Sequence, residues 1–349
     1  MISKINKIAI IGLGYVGLPL AIEFAKKRKV VGFDINKDRI NQLKKGIDKS
    51  REISFSDFKK VKNINFTYNI DDIKDCTIFI VTIPTPLDKK NKPNLNLLKN
   101  CCGMLGSIIK KKDLIIFEST VYPGTTEEVC VPILEKFSNL KYNKDFFCSY
   151  SPERINPGDK KNTINNIVKL VSSSSKKSLK KISDIYKSIL KAKVFNCSSL
   201  KVAEAAKIIE NTQRDLNISL MNEFSVICRK LKIDVNEVLD AASTKWNFIN
   251  FRPGLVGGHC IGVDPYYLTY KAKKIGINPK VILAGRKVND EMVNYFSNYF
   301  IRELKNKCKK KNFNILILGA TFKENISDIR NSKILEIGRI LKKKRCKVY

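Results

Sequence analysis

Histidine is almost absent from this sequence, and its cysteines lack metal-binding spacing. His259 is the only histidine, no Cys-x-x-Cys pair occurs, and the adjacent Cys101 and Cys102 cannot clamp one zinc ion in the usual way. We therefore expect no metal site. Unpaired cysteines scattered through predicted strands and helices are typical of a reducing compartment, so we expect a cytoplasmic protein.

Long hydrophobic runs are also missing. No segment is apolar over the roughly 20 residues that a membrane-spanning helix requires. Residues 8–22 follow two lysines and resemble a signal peptide, but three glycines and a proline interrupt this run. We therefore expect no membrane insertion.

Acidic residues are half as frequent as basic ones. The 33 aspartates and glutamates stand against 66 lysines and arginines, which gives a net charge of +33. Because the basic residues are spread over almost every predicted helix and loop, we interpret the excess as a composition bias and expect no specific nucleic-acid partner. The apolar content of 43% excludes a disordered chain, and a length of 349 residues predicts two or three domains.

Short apolar runs alternate with helical segments in the first part of the chain. Strand-like runs occupy residues 6–11, 30–34, 77–83, 114–118 and 146–149. Helical patterns occupy residues 18–27, 94–110 and 127–137, and residues 172–175 are expected to form a brief loop or a helix face. This alternation predicts an α/β fold that begins with a Rossmann-type, mostly parallel, doubly wound sheet.

From Leu200 the pattern becomes helical and then returns to the β-α type. About thirty residues without proline or glycine predict one long helix. Further helices are predicted over residues 235–243, 279–304 and 332–343, and strands from residue 314 and over residues 347–349. We predict a Rossmann-type domain over residues 1–198, a helical middle domain over residues 199–305, and the start of a second Rossmann-like domain over residues 312–349.

A glycine motif stands between the first predicted strand and helix. Gly12, Gly14 and Gly17 have the G-x-G-x-x-G spacing, and Asp34 ends the next strand. Glycines let the backbone approach a pyrophosphate, and an acid at this place binds ribose hydroxyls and disfavours a 2′-phosphate. The motif predicts NAD rather than NADP. The alternative is a glycine turn kept only for helix-strand packing.

A second glycine-rich segment carries a thiol and a carboxylate. Gly257 opens this loop, Cys260 lies within it, and Asp264 follows four residues later. A thiolate is a natural nucleophile toward an aldehyde, so we interpret Cys260 as a candidate nucleophile. The alternative for a single cysteine is a small buried apolar residue. We expect His259 to be structural, because neighbouring side chains of an extended loop point apart.

A third pair lies on the predicted long helix. Lys207 and Asn211 are four residues apart and therefore project from one face. An ammonium beside an amide can stabilise a developing oxyanion or hold a water molecule. From the sequence alone, an exposed lysine-asparagine pair is the alternative.

Seven segments occur in an order that resembles one enzyme family. They are GLGYVGLPLA, PTPLD, STVYPGTTE, SPERINPGD, the helix with Lys207 and Asn211, FRPGLVGGHCIGVDPYYL and GATFKENISDIRNS. Together they resemble the UDP-glucose/GDP-mannose dehydrogenase family over essentially the whole chain. The FRPGLVGGHCIGVDPYYL form is similar to that of members that oxidise UDP-N-acetylhexosamines, UDP-GlcNAc or UDP-GalNAc, for surface polysaccharides.

The resemblance implies oxidation of the sugar C6 alcohol to a carboxylate with two NAD per turnover. Asp264 and Lys207 then hold the water through which the first proton leaves. Cys260 attacks the aldehyde, and Lys207 and Asn211 stabilise the resulting alkoxide until a second oxidation leaves a thioester. Glu153 and Thr120 orient the hydrolytic water, with Glu153 as general base.

The resemblance and the sheet topology also imply binding residues and a partner. The expected cofactor contacts, besides the three glycines and Asp34, are Tyr15, Val16, Arg39, Thr85 and Thr120. The expected substrate contacts are Glu153, Lys207, Arg252, Gly257 and Lys323. A homodimer through the long helix is expected as in the family, although its apolar stripe could equally pack inside one subunit.

The sequence departs from the family at its end. The family's last domain is a complete Rossmann-like unit over the UDP moiety, whereas this chain ends at Tyr349, where the second strand of that unit begins. We expect intact cofactor binding but weak UDP-sugar turnover by these 349 residues. Two alternatives stay open: a one-step β-hydroxyacid dehydrogenase of the 6-phosphogluconate type, and an NAD-binding remnant without turnover.

Overall fold

A computed structural model describes residues 7–153, 164–308, 313–321 and 329–349 of the protein. The chain divides into two units, Met1–Lys207 and Ile208–Tyr349. The boundary falls within one helix. The division of the chain into the three predicted domains stays a prediction.

Among the described residues of the first unit, eight strands form one sheet. They are β1 (Ile8–Ile11), β2 (Val30–Phe33), β3 (Ile64–Thr67), β4 (Ile78–Val81), β5 (Leu114–Phe117), β6 (Phe147–Tyr150), β7 (Lys169–Ser173) and β8 (Val194–Asn196). Their order is β3-β2-β1-β4-β5-β6-β7-β8, and every neighbouring pair is parallel except β6 and β7. The strand order reverses between β1 and β4, which is the switch point where such sheets bind ligands. The predicted mostly parallel, doubly wound sheet is confirmed.

The helices of the first unit connect these strands. They are α1 (Gly17–Ala25), α2 (Lys37–Lys44), α3 (Phe55–Lys59), α4 (Asn96–Gly106), α5 (Val131–Ser138) and α6 (Lys176–Lys187), with a 3-10 turn over Ile70–Ile73. The helical stretch predicted over residues 127–137 is confirmed, although Thr126–Cys130 forms a π-helical turn and not α-helix. Regular α-helix begins only at Val131, where Pro132 occupies the first turn that tolerates a missing N–H.

The sequence pattern missed the strands β3, β7 and β8. Residues 172 and 173, predicted as a loop or a helix face, belong to β7, which runs antiparallel to β6. Its buried hydroxyls are satisfied inside the protein: Ser172 Oγ donates to the Tyr150 carbonyl at 3.0 Å, and Ser173 Oγ donates to the Cys148 carbonyl at 3.2 Å. A buried strand with polar side chains gives no apolar signal.

The core of the first unit surrounds the central strands. All four residues of β1, β4 and β5 are buried, as expected for parallel strands that are covered on both faces. Ile10, Ile80 and Ile116 belong to an apolar cluster that also includes Phe24 of α1 and Tyr186 of α6. This packing fixes the carboxyl ends of the strands.

Helices dominate the second unit. The long helix α7 (Leu200–Leu231) begins in the first unit, and α8 (Val235–Ala242), α9 (Asp264–Lys274), α10 (Lys280–Lys307) and α11 (Lys333–Lys343) follow. The predicted long helix is confirmed, whereas α9 was not predicted. None of the helices in the described residues combines the length and apolar character of a membrane span.

Two packing features organise the second unit. At Gly285 an added Cβ would lie 2.4 Å from Leu216 Cδ2 and 2.9 Å from Ser219 Oγ, so α10 crosses α7 at close range. Farther on, β9 (Asn314–Ile315) and β10 (Lys347–Val348) pair in parallel, with α11 between them in sequence. This β-α-β arrangement confirms the predicted return to a β-α pattern.

Candidate active site

The turn after β1 requires glycine at two positions for different reasons. Gly12 has a φ of +92°, in the left-handed region that favours glycine. At Gly17 an added Cβ would lie 1.8 Å from the Gly12 carbonyl oxygen and 2.4 Å from Thr82 Oγ1. Gly17 therefore lets the start of α1 pack directly against the turn.

Gly14 faces open space instead. It is exposed, and an added Cβ would meet nothing within 4 Å. Tyr15 and Val16 follow it and are half-buried, and no side chain caps the start of α1. Backbone N–H groups at a helix N-terminus attract a phosphate, so the turn fits the pyrophosphate of a dinucleotide.

Asp34 is held against this turn. Its Oδ2 accepts a hydrogen bond from the Leu13 N–H at 2.8 Å, and its Oδ1 accepts from the Asn36 N–H at 2.9 Å. Arg39 of α2 supports the same place, because its Nε donates to the Leu13 carbonyl at 3.0 Å and its guanidinium pairs with Asp48 at 2.8 Å. The predicted ribose-binding carboxylate is thus hydrogen-bonded directly to the glycine turn. A direct contact of Arg39 with the cofactor stays a prediction.

Thr82 is a site residue that sequence reasoning missed. Its hydroxyl donates to the carbonyls of Ile11 and Gly12, at 3.0 and 2.7 Å. It directly follows β4, so a hydroxyl immediately after a buried strand was the available signal. Its hydrogen bonds join the end of β4 to the end of β1 at the switch point of the sheet.

The structure brings together two predicted threonines at the neighbouring strand ends. Thr85 Oγ1 donates to the carbonyl of Thr120 at 2.6 Å. Both residues are half-buried and follow β4 and β5, respectively. Their side chains lie at the edge of the sheet where ligands of this fold bind.

Glu204 fixes the loop that follows Thr120. Its carboxylate accepts from the Gly124 N–H at 2.5 Å, the Thr126 N–H at 2.9 Å and the Thr126 hydroxyl at 2.7 Å. Burial raises the pKa of Glu204 to about 7, although these hydrogen bonds oppose the shift. Sequence reasoning missed this residue, but it lies three residues before Lys207 and therefore on a neighbouring part of the helix surface.

We expect Glu204→Gln to change how stability depends on pH. The folded pKa of about 7 exceeds the ordinary value of 4.5, so the folded protein keeps a proton that the unfolded chain loses between these values. The stability that Glu204 contributes is therefore fully present below its unfolded pKa and is lost as the pH rises through 7. Relative to the Glu204→Gln variant, the wild-type protein should lose about 2 to 3 kcal/mol of unfolding free energy between pH 5 and pH 8.

Urea unfolding of both proteins at pH 5 and pH 8 measures this difference. The subtraction removes the other titrating groups, which the two proteins share. A difference in unfolding free energy that does not vary with pH would contradict the raised pKa of Glu204.

Glu153 follows β6 and is half-buried. The backbone before it is held on both sides: the Ser151 N–H donates to the Phe117 carbonyl at 2.9 Å, and Lys169 Nζ donates to the Pro152 carbonyl at 3.2 Å. Because β5 and β6 are parallel neighbours, the segments that carry Thr120 and Glu153 leave the sheet at the same edge.

The predicted pair on α7 is buried rather than exposed. Lys207 and Asn211 expose only 5% and 4% of their surface, which excludes the alternative of a solvated surface pair. In the second unit, Asn211 Nδ2 donates to Asp264 Oδ2 at 2.5 Å, and Asp264 is itself 2% exposed. The amide of Asn211 thus orients the predicted catalytic carboxylate.

Cys260 and Asp264 lie on one tight turn. The N–H groups of Val263 and Asp264 both donate to the Cys260 carbonyl, at 3.1 and 2.9 Å. The prediction that Asp264 belongs to the glycine-rich loop is wrong, because Asp264 is the first residue of α9. Cys260 is exposed, and Cys308 is the other exposed residue among the ten cysteines, so the alternative of a buried apolar role does not apply.

Asn222 anchors the segment that leads to this loop. Its side chain donates to the Gly254 carbonyl and accepts from the Gly254 N–H, both at 2.9 Å, and it also donates to Asn289 Oδ1 at 2.8 Å. On the other side, the Asn331 side chain donates to the Gly258 carbonyl at 3.2 Å. These asparagines were not predicted, and they hold the backbone that leads to Cys260 at two points.

The remaining predicted substrate residues are not linked to the site by the contacts described above. Arg252 pairs with Asp240 at 2.5 Å and donates to the Asn236 carbonyl at 3.3 Å, so its contact with a substrate phosphate stays a prediction. Gly257 is half-buried within the loop. Lys323 lies outside the described residues.

Comparison with known proteins gives the family. Residues 6–190 match the NAD binding domain of the UDP-glucose/GDP-mannose dehydrogenase family, and residues 201–291 match the central domain of the same family. The chain belongs to this family. The predicted NAD cofactor and the predicted class of NAD-dependent nucleotide-sugar dehydrogenase are therefore confirmed.

Relatives of this dehydrogenase include two bacterial proteins of known name. The UDP-N-acetyl-D-glucosamine 6-dehydrogenase of Pseudomonas aeruginosa is 53% identical over 336 residues, which cover 96% of this chain and 80% of that protein. Protein CapL of Staphylococcus aureus is also 53% identical, with 97% of this chain and 80% of CapL covered. The dehydrogenase spans about four fifths of each.

A solved structure shows the same fold. The UDP-D-ManNAc dehydrogenase of Pyrococcus horikoshii has a TM-score of 0.90 at 31% identity, and the match covers 98% of this chain and 82% of that one. The predicted fold class is thus confirmed. Family membership favours a nucleotide-sugar dehydrogenase over the alternative of a one-step β-hydroxyacid dehydrogenase.

Proposed function

We propose that the protein oxidises the C6 alcohol of a UDP-N-acetylhexosamine, UDP-GlcNAc or UDP-GalNAc, to the uronic acid for surface polysaccharide synthesis. The observation that carries this proposal is the exposed thiol of Cys260 on the same turn as the buried carboxylate of Asp264, which Asn211 orients. The names of the relatives that are 53% identical support an N-acetylhexosamine substrate.

Two NAD molecules, bound one after the other, would each accept one hydride from C6. The residues around Gly14 and Asp34 bind each of them. In the first oxidation the C6 hydroxyl loses a proton, which Asp264 and Lys207 pass to solvent through a water molecule. Asp264 is suited to this role because the Asn211 amide donates to its carboxylate and holds it in place.

Cys260 carries the second half of the reaction. Its thiolate attacks the C6 aldehyde, and a C–S bond forms while the carbonyl oxygen becomes an alkoxide. The ammonium of Lys207 and the amide of Asn211 stabilise that alkoxide. Loss of the second hydride from C6 leaves a thioester on Cys260, so the reactive aldehyde never leaves the protein.

Hydrolysis of the thioester completes the cycle. Glu153 takes a proton from a water molecule that Thr120 helps to orient, and the water oxygen attacks the thioester carbon. The C–S bond breaks, and the uronic acid and the thiol of Cys260 are released. We further assign Arg252, Gly257 and Lys323 to binding of the UDP-sugar.

A panel of UDP-sugars tests the substrate class in the full-length protein. We expect the highest kcat/KM with UDP-GlcNAc or UDP-GalNAc, and a value at least about tenfold lower with UDP-glucose, because the site would lose its contacts to the N-acetyl group. The product should be the uronic acid by mass. Preference for UDP-glucose, or oxidation of a simple β-hydroxyacid instead, would contradict the proposal.

We also propose a homodimer that forms along α7. Leu220, Ile227 and Leu231 are 59%, 46% and 63% exposed, and their spacing of seven and four residues places them on one face of the helix. Exposed apolar rows of this kind support protein-protein contact. Sedimentation of the full-length protein measures the mass, and a monomer at micromolar concentration would contradict the dimer.

A further inference from the structure

A buried ion pair lies beneath the ends of β5 and β6. Lys169 Nζ is 2.9 Å from Glu118 Oε2, and the two side chains expose only 6% and 1% of their surface. The Tyr186 hydroxyl donates to the other oxygen of Glu118, and the Lys169 ammonium lies 5.1 Å from the centre of the Tyr186 ring. The carboxylate thus has a partner at each oxygen.

The same ammonium reaches a second strand end. Lys169 Nζ donates to the Pro152 carbonyl at 3.2 Å. Pro152 directly precedes Glu153, and Glu118 lies two residues before Thr120. One buried side chain therefore contacts both segments that carry the groups assigned to thioester hydrolysis.

The bond to Pro152 acts on Glu153 through the peptide plane. The Pro152 carbonyl oxygen and the Cα atom of Glu153 belong to the same planar peptide unit. A hydrogen bond from a charged donor at that oxygen fixes the direction in which the Glu153 side chain leaves the backbone. A buried ion pair is by itself weak evidence for stability, since a well-packed apolar pair serves as well. An apolar pair could not, however, donate the hydrogen bond that Lys169 makes to the Pro152 carbonyl.

We propose that Lys169 is a positioning residue for hydrolysis of the Cys260 thioester. It holds Glu153 in the orientation for proton transfer from water, and through Glu118 it fixes the segment that leads to Thr120. This role rests on the proposed function. It concerns only the last step, because Lys169 contacts Glu118 and Pro152, on the segments that carry Thr120 and Glu153.

Single-turnover kinetics of Lys169→Met test the proposal in the full-length protein. We expect both oxidations to produce NADH at nearly the wild-type rate, and release of the uronic acid to slow about 100-fold, because small misplacements of a catalytic group cost about this much. Mass spectrometry should then show the sugar attached to Cys260. Lys169→Arg, whose guanidinium can donate to both acceptors, should recover most of the hydrolysis rate.

Two further variants separate positioning from loss of fold. Lys169→Met combined with Glu118→Met removes both buried charges, so the fold should survive while hydrolysis stays slow. Ile182→Ala, on the buried face of α6, should lower stability without slowing hydrolysis. A Lys169→Met effect that is equal on all steps, or wild-type hydrolysis in the double variant, would overturn the proposal.

Glu153→Gln distinguishes failure of this inference from failure of the proposed function. That variant should accumulate the thioester whatever Lys169 does. If it accumulates no adduct on Cys260, the proposed function fails, and the role of Lys169 fails with it. If the adduct forms in Glu153→Gln but both Lys169→Met variants hydrolyse it at the wild-type rate, only the role of Lys169 is overturned.

Discussion

Cys260→Ser is expected to lower uronic acid formation by about a thousandfold or more. The thiolate is the assigned nucleophile of the second half of the reaction, and removal of a nucleophile costs at least this much in enzymes that form a covalent intermediate. A serine hydroxyl has a far higher pKa than a thiol and gives little alkoxide at neutral pH. The first oxidation does not require the thiol, so at most one NADH per sugar should appear.

Cys308→Ser is the matched control for this experiment. Cys308 is the other exposed cysteine of the chain, at the end of α10. It is not assigned to the reaction, so its replacement should leave acid formation unchanged. Acid formation by Cys260→Ser at a rate near that of Cys308→Ser would remove the thiol from the mechanism.

Gly17→Ala should destabilise the cofactor-binding turn and abolish measurable NAD binding. Its Cβ would fall 1.8 Å from the Gly12 carbonyl oxygen, a backbone atom that cannot rotate away. Either α1 or the turn must move, at a cost of about 3 kcal/mol, the upper end of the usual range for overpacking. Thermal unfolding and NAD titration by fluorescence measure the two effects.

Gly14→Ala separates an effect on NAD binding from an effect on the stability of the fold. The added Cβ would meet nothing within 4 Å, so the unfolding temperature should stay within a few degrees of the wild-type value. The same methyl group would stand where a pyrophosphate approaches the backbone, so we expect the Kd for NAD to rise about tenfold or more. Unchanged NAD affinity in Gly14→Ala would contradict the assignment of this turn to the cofactor.

The cofactor end of the molecule could be predicted because its signals are local. The glycine spacing, the strand before it and the acid after the next strand are all visible within about thirty residues of sequence. The structure adds that Gly12, Gly14 and Gly17 have different tasks, which the spacing alone could not show. It also adds Thr82, which contacts the turn from 70 residues away in sequence.

The strand β7 and the role of Glu204 could not be predicted from the sequence, because both depend on contacts with residues that are distant in sequence. β7 contains Lys169 and Ser172, whose burial makes sense only beside Glu118 and Tyr150. The pattern of a buried strand is usually apolar, so this strand was missed and Ser172 was expected in a loop or on a helix face. Glu204 is likewise buried by a loop 78 residues earlier in the sequence.

The segment around Cys260 could be predicted only in part. Its glycines correctly indicated a loop and an accessible thiol, but they concealed that α9 begins at Asp264. The Asp264-Pro265 pair was the available signal, because an acidic residue and a proline both favour the first turn of a helix. The asparagines that hold the loop, Asn222 and Asn331, have no local signal.

The number of NADH molecules formed per UDP-sugar consumed tests the central claim most directly. The measurement uses the full-length wild-type protein with limiting UDP-GlcNAc or UDP-GalNAc and excess NAD, followed by mass analysis of the product. Capture of the aldehyde on Cys260 predicts two NADH per sugar, with the uronic acid as the product. One NADH per sugar, with an aldehyde or ketone released into solution, would contradict it.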